Sequence, residues 1–249
     1  MIQLAKRLIR PFYHWVRRLL RDGSIATGIR KLILKLRERR NEWLWRKKGC
    51  PVPPPASFKR RFLRDLAKKN RLKIFVETGT LHGDTLDVLK DAFVELYSVE
   101  LDGELFLKAQ SRFRNSNKIR LRNGDSGEEL SKILADIRQP ALFWLDAHYS
   151  GKGTARGSED TPILQELSAL ARHSLQYEHI VVIDDARDFN GTDGYPTVEQ
   201  VRSYASAMGL NSCCVSFDMV VLKRESPPEQ AVHGTVAAEV TLGNPTHLG

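Results

Sequence analysis

Ile74-Phe75-Val76-Glu77-Thr78-Gly79-Thr80-Leu81-His82-Gly83 is the most informative segment of this chain for predicting its fold. Its apolar start predicts a strand that runs to the carboxyl edge of a parallel sheet, where ligands of open α/β sheets bind. The two glycines let the backbone turn sharply and approach a ligand closely. The spacing Glu-x-Gly-x-x-x-Gly differs from the dinucleotide fingerprint Gly-x-Gly-x-x-Gly, so a dinucleotide fits poorly. Taken alone, the stretch is equally typical of an ordinary strand-to-helix turn.

Downstream of this stretch, strand-like and helix-like patterns alternate as in a doubly wound sheet. The first five predicted strands cover residues 73–77, 95–100, 118–122, 141–146 and 179–183. A last helix over 198–208 precedes two apolar runs, 212–217 and 219–223, whose closeness predicts an antiparallel hairpin at one edge of the sheet. The predicted fold is therefore α/β, a doubly wound seven-stranded sheet with an antiparallel edge hairpin.

Charge is distributed unevenly along the 249 residues. The first 73 residues hold 23 of the 39 Lys and Arg but only 4 of the 30 Asp and Glu, so the overall charge of +9 hides an acidic domain with a basic leader. A charge asymmetry of this kind usually marks an interaction segment.

The leader, predicted over 1–50, consists of two basic amphipathic helical segments. Basic residues interrupt its apolar positions, which excludes a secretory signal and a membrane-spanning helix. An anionic membrane surface attracts such clusters, and Trp15, Trp43 and Trp45 suit the headgroup zone. Packing on the chain's own domain, or on a partner subunit in a homo-oligomer, is the alternative. Nucleic acid is a weaker candidate, because no recognised fold for binding it is present.

The remaining segments set the domain boundaries. A proline-rich linker is predicted over 51–57, the core domain over 58–224, and a disordered tail over 225–249. Cys213 and Cys214 are sequence neighbours and Cys50 is the third cysteine, so no disulfide framework can form. Reduced thiols indicate a reducing compartment, hence a cytoplasmic location, at the inner face of the membrane if the leader binds there.

Acidic residues end the predicted strands or follow them closely. Glu100 ends the second strand about twenty residues after the glycine loop, where a carboxylate can accept both ribose hydroxyls of a nucleoside. Asp125 follows the third strand and can reach an adenine amino group. Asp146 ends the fourth strand, and Asp184 and Asp185 end the fifth. The order of strands in such a sheet would gather these carboxylates along one edge.

The last three, Asp146, Asp184 and Asp185, form a candidate metal site. Converging carboxylates raise one another's pKa unless a cation lies among them. A hard divalent ion with oxygen ligands, with Mg²⁺ as the first candidate, meets this need and can lower the pKa of a substrate hydroxyl. The alternative is that Asp184 and Asp185 cap the loop after their strand.

Together these motifs resemble the class I S-adenosylmethionine-dependent methyltransferases, over residues 70–224. Trp144-Leu145-Asp146-Ala147-His148 with Ile183-Asp184-Asp185 is similar to the metal-dependent O-methyltransferases, including the macrocin-type sugar branch and the catechol-type branch. The resemblance implies a Rossmann-like fold and methyl transfer from S-adenosylmethionine to a hydroxyl of a small molecule, sugar or glycolipid. The cofactor-binding residues that it implies are Glu77, Gly79, Thr80, Gly83, Glu100, Asp125 and Ser126.

His148, two residues beyond Asp146, is the candidate general base, since the pKa of histidine lies near working pH. Asp146 could serve instead while bound to the metal, and a solvent-facing His148 is the alternative. The glycine-rich stretch 150–157 lacks the ending of a phosphate loop and predicts a lid over the acceptor.

Two further function classes stay open. One is a membrane-tethered, non-catalytic binding protein that keeps this fold; three mutually repelling carboxylates argue against it. The other is a nicotinamide oxidoreductase, which the glycine spacing disfavours.

Overall fold

The structure, a computed structural model, describes residues 23–146, 162–192 and 194–224. Its α-helices are α1 (Gly23–Lys47), α2 (Ala56–Lys69), α3 (Asp84–Leu89), α4 (Gly103–Phe113), α5 (Ser126–Leu134), α6 (Ile163–Ser174) and α7 (Val198–Ala207). Its strands are β1 (Ile74–Thr78), β2 (Glu95–Glu100), β3 (Ile119–Asn123), β4 (Ala141–Leu145), β5 (Ile180–Ile183), β6 (Ser212–Ser216) and β7 (Met219–Lys223). The first leader segment, the glycine-rich stretch and the tail lie outside the described residues, as does His148.

The seven strands form one sheet in the order β3-β2-β1-β4-β5-β7-β6. The pairs among β1 to β5 are parallel, whereas β7 pairs antiparallel with both β5 and β6. This arrangement confirms the predicted doubly wound sheet with its antiparallel hairpin at one edge. The chain order reverses between β1 and β4, so the ligand crevice of an open α/β sheet is expected at their carboxyl ends.

The central strands are apolar because both faces of the sheet are covered. All residues of β1, β4 and β5 are buried, as is typical of parallel strands between two layers of helices. Side chains of α5, α6 and α7 pack on one face, and side chains of α2, α3 and α4 pack on the other. The two layers hold the strand ends, and the polar groups on them, at fixed positions.

The end of α1 is part of the core, which differs from the predicted separation by a linker. Trp45 is only 6% exposed, and its ring centroid lies 4.7 Å from that of Phe58 and 5.7 Å from that of Phe217. Its indole nitrogen donates to the carbonyl oxygen of Pro51 at 2.7 Å. The prediction that Trp45 lies in a headgroup zone is therefore wrong, because a buried aromatic ring contributes more as core than it would at an interface. Among the described helices, none is long and apolar enough to cross a bilayer.

Candidate functional site

The glycine loop follows β1 at the point where the strand order reverses. The amides of Gly79 and Thr80 both donate to the carbonyl oxygen of Val99, at 2.9 and 3.1 Å, which ties the loop to the end of β2. Gly79 and Gly83 have φ angles of 90° and 74°, a region that favours glycine. A Cβ on Gly83 would lie 2.6 Å from the ring of Phe113. Both glycines are thus required by the path of the backbone.

Glu100 lies beside this loop, as predicted. Its side chain is buried, and its two oxygens accept from the amides of Leu81, at 2.7 Å, and Asp102, at 3.0 Å. A carboxylate offers about four lone-pair positions, so two remain for further donors such as ribose hydroxyls. Glu100 therefore both holds the glycine loop and presents acceptors at the crevice.

Glu77 is buried in a short chain of hydrogen bonds. Ser98 donates to Glu77 at 2.8 Å, and the hydroxyl of Thr80 lies 2.5 Å from that of Ser98. Burial raises the pKa of Glu77 to about 8; the hydrogen bond from Ser98 opposes this rise and the charge of Glu100 adds to it. Glu77 is thus largely protonated at neutral pH. Sequence reasoning missed Ser98, although a serine in the middle of an apolar strand was a usable signal.

Asp125 and Ser126, predicted to bind the cofactor, lie at the start of α5, directly after β3. Asp125 caps the helix by accepting from the amide of Gly127 at 2.9 Å, and the buried Ser126 hydrogen-bonds the carboxyl group of Glu166. Burial raises the pKa of Glu166, which also hydrogen-bonds Thr78, to about 7. Sequence reasoning missed Glu166 too. Its place three residues after Ile163 on a helix could have assigned it to the buried face.

The predicted metal ligands come together at the ends of β4 and β5. One carboxylate oxygen from each of Asp146, Asp184 and Asp185 lies within 4.8 Å of the others. The amide of Asp146 donates to Thr78 at the end of β1, which fixes the end of β4 beside the glycine loop. The convergence inferred from strand order is therefore confirmed for these three residues.

A positive charge already lies among these carboxylates, and it comes from Lys59 on α2. The ammonium nitrogen lies 2.5 and 2.6 Å from the oxygens of Asp184 and 3.1 Å from Asp185. Arg187 adds a second cation, 3.0 Å from Asp185. Sequence reasoning missed Lys59, since nothing in the sequence distinguishes it from the other bases that precede β1. Lys59 and Arg187 thus partly neutralise the carboxylates, a role that the sequence argument gave to a metal ion.

These charges shift the pKa values of the cluster in opposite directions. Burial, followed by the charges of Asp184 and Asp185, raises the pKa of Asp146 well above its usual value. Burial and the charge of Asp185 raise the pKa of Asp184 to about 6, with Lys59 opposing. Burial also opposes ionisation of Asp185, but Lys59 and Arg187 outweigh it and lower the pKa. The attraction of both aspartates likewise outweighs the burial of Lys59, whose pKa is raised. Asp185 and Lys59 are therefore held in their charged forms.

A cavity of about 260 Å³ opens beside the cluster. Asp146, Asp184 and Asp185 form part of its wall, and residues from the predicted linker and from α2 form the opposite part. Those residues are Pro53, Pro54, Ala56, Lys59, Arg60 and Leu63. The predicted linker and α2 thus help to shape the cavity that adjoins these carboxylates.

Comparison with known proteins supports the fold. No family model and no curated protein sequence matches this chain. The O-methyltransferase TomG from Streptomyces achromogenes, solved with SAM, is similar over 76% of this chain and 89% of its own, with a TM-score of 0.50 and 16% identity. The O-methyltransferase from Bacillus cereus, in complex with SAH, is similar over 74% of this chain and 88% of its own, with a TM-score of 0.47 and 15% identity. The SAH-bound methyltransferase PaMTH1 from Podospora anserina is similar over 75% of this chain and 86% of its own, with a TM-score of 0.47 and 15% identity. The likeness to TomG confirms the predicted Rossmann-like fold, which this chain shares with that O-methyltransferase.

Proposed function

We propose that this protein is an S-adenosylmethionine-dependent O-methyltransferase that acts on a hydroxyl of a small-molecule or sugar acceptor. One observation carries the proposal: a cradle suited to a nucleoside and a cluster of acidic residues beside a cavity meet at the same edge of the sheet, joined through Thr78. Methyl transfer needs a donor and an acceptor side by side at such a point.

On the donor side, the described residues match what S-adenosylmethionine requires. Glu100 would supply acceptors for the ribose, Asp125 at the start of α5 would bind the adenine, and the glycine loop would adjoin the methionine part. Glu77 lies behind this loop, and a positively charged cofactor would favour its ionised form. Ser98 and Thr80 hold its carboxyl group in place.

On the acceptor side, Asp146, Asp184 and Asp185 would hold a divalent ion, because three carboxylate oxygens suit Mg²⁺. When bound, the ion would lower the pKa of an acceptor hydroxyl. Lys59 competes for the same place, since its ammonium group contacts two of the three carboxylates. Metal binding therefore requires Lys59 to give up at least one of these contacts.

His148 and Asp146 are the proposed acceptors for the hydroxyl proton. Asp146 lies on the wall of the cavity. His148 follows it by two residues and lies outside the described residues. Uptake by Asp146 would place the proton on the wall of the cavity, beside Asp184 and Asp185.

Calorimetry and a methyl-transfer assay test the proposal together. We expect S-adenosylmethionine and S-adenosylhomocysteine to bind, NAD⁺ not to bind, and labelled methyl groups to reach hydroxyl-bearing acceptors. EDTA should abolish transfer, and Mg²⁺ should restore it. Binding of NAD⁺ instead would contradict the cofactor assignment, and transfer that withstands EDTA would remove the metal from the proposal.

A second candidate is a non-catalytic binding protein with the same fold. The Lys59 contacts favour it, because they neutralise carboxylates that would otherwise repel one another in an inactive site. This candidate predicts cofactor binding with no transfer to any acceptor in the same assay.

A further inference from the structure

Helix α1 has one face that packs on the protein and another that does not. Glu38 pairs with Arg60 at 2.9 Å, Glu42 pairs with Arg61, and Trp45 enters the core. At about 100° per residue, these three α1 positions share one face of the helix. The contacts with α2 thus fix the orientation of α1.

The opposite face of α1 is apolar and exposed among the residues that the structure describes. Five side chains, here called the α1 stripe, fall within about 100° of one another around the helix axis. Each of them is between 43% and 59% exposed: Ile29, Leu32, Ile33, Leu36 and Trp43. Single exposed apolar side chains are common on protein surfaces, whereas several grouped on one helix face mark an interaction surface.

The charges around the α1 stripe are all positive. Glu38 and Glu42 are the only acidic residues of α1, and both are engaged with α2 on the other face. Exposed bases flank the stripe, and the ammonium of Lys47 lies 4.1 Å from the centre of the Trp43 ring. The flanking bases are Lys35, Arg37, Arg39 and Arg46, while Arg40 and Lys47 lie within the same arc as the stripe.

This combination of apolar and basic residues favours one kind of binding partner for the α1 stripe. A second copy of the same face would bring like charges together, which is unfavourable. Nucleic acid would engage the bases but leave the apolar side chains exposed. An anionic bilayer takes up both, since apolar side chains enter the acyl boundary while Lys and Arg meet the headgroups. Tryptophan suits the interface between them.

We propose that the α1 stripe docks this protein on an anionic lipid surface. Arg60 pairs with α1 and also lines the cavity, so docking would hold the cavity close to the bilayer. That second point rests on the proposed function, because it treats the cavity as the acceptor site. Docking itself does not depend on catalysis.

Vesicle flotation with the full chain tests the proposal without cofactor or acceptor. We expect flotation with vesicles of three parts phosphatidylcholine to one part phosphatidylglycerol, and none with phosphatidylcholine alone. The variant Leu32→Glu/Leu36→Glu should bind about tenfold more weakly. The control Leu34→Glu/Leu107→Glu adds the same charge at exposed sites outside the stripe and should bind like the unchanged protein. Circular dichroism verifies that both variants fold.

Three results would overturn the proposal. The first is failure of the unchanged protein to float with anionic vesicles, and the second is flotation of the stripe variant equal to that of the control. The third is loss of self-association or of RNA binding by the stripe variant, in sedimentation velocity or an RNA-binding assay, with flotation unchanged; this result would assign the stripe to a second copy or to nucleic acid. Loss of methyl transfer with normal flotation would count against the proposed function alone.

Discussion

The ammonium nitrogen of Lys59 lies 2.5 Å from a carboxylate oxygen of Asp184, across 125 residues of sequence. Both side chains are largely buried, so this contact is an ion pair shielded from solvent. It joins α2, which precedes the predicted cofactor loop, to the end of β5. The charge balance of the acidic cluster thus depends on a segment outside the sheet.

Replacing Lys59 by methionine is expected to strengthen divalent cation binding about tenfold or more, because it removes the positive charge that competes with the metal ion. Methionine has a side chain of similar length and volume to lysine, so the packing is kept. Titration calorimetry with Mn²⁺ measures this directly. Without metal, the variant should lose up to about 3 kcal/mol of stability, since the buried Asp184 loses the cation beside it and must either keep an unpaired charge or take up a proton. Lys59→Arg keeps the charge and is the matched control. Equal Mn²⁺ affinity in Lys59→Met and the unchanged protein would show that Lys59 and the metal do not compete.

Replacing Glu100 by alanine is expected to weaken S-adenosylhomocysteine binding at least tenfold, about 1.4 kcal/mol, because the ribose loses its acceptor and the glycine loop loses its tie at Leu81. Glu95→Ala is the control, since Glu95 lies at the other end of β2 and accepts from Tyr97. Titration calorimetry measures the affinity of both variants for S-adenosylhomocysteine. Unchanged affinity in a folded Glu100→Ala protein would remove Glu100 from the cofactor site.

Replacing Glu77 by glutamine is expected to make stability less dependent on pH. Because folding raises the pKa of Glu77 from 4.5 to about 8, its contribution is fully present below pH 4.5 and is lost as the pH rises through 8. The variant has no such group, so its stability relative to the unchanged protein should increase by a few kcal/mol between pH 5 and pH 9. Urea unfolding at several pH values measures the difference. Parallel stability profiles for the two proteins would show that Glu77 is not protonated in the folded state.

Replacing Gly83 by alanine is expected to lower stability by about 2–4 kcal/mol. The φ angle of 74° disfavours a side chain, and the added Cβ would lie 2.6 Å from the buried ring of Phe113. Gly28→Ala is the control, because nothing lies within 4 Å of that position in α1, and it should be neutral or stabilising. Thermal unfolding compares the two, and similar melting temperatures would mean that the loop adapts freely.

Much of the fold could be predicted because it depends on local patterns. β2 and β7 begin and end at the predicted residues, and the other strands differ by a single residue at either end. Parallel strands between two helical layers are short apolar runs, and acidic residues and glycines mark where they end. The predicted placement of Trp45 was wrong because it depends on a tertiary contact and not on a local pattern. An amphipathic helix shows which of its faces is apolar, but its sequence does not show what a single aromatic side chain packs against.

The sheet, the glycine loop and the gathering of Asp146, Asp184 and Asp185 could all be predicted from the sequence, because strand order brings the carboxyl ends of parallel strands to one edge. The groups that meet those residues are evident only in the folded protein. Lys59, Ser98 and Glu166 reach the site through packing between elements distant in sequence, and such contacts depend on the relative placement of whole helices and strands. The same packing turned one face of α1 inward and left the α1 stripe outside, a choice that helical periodicity cannot make.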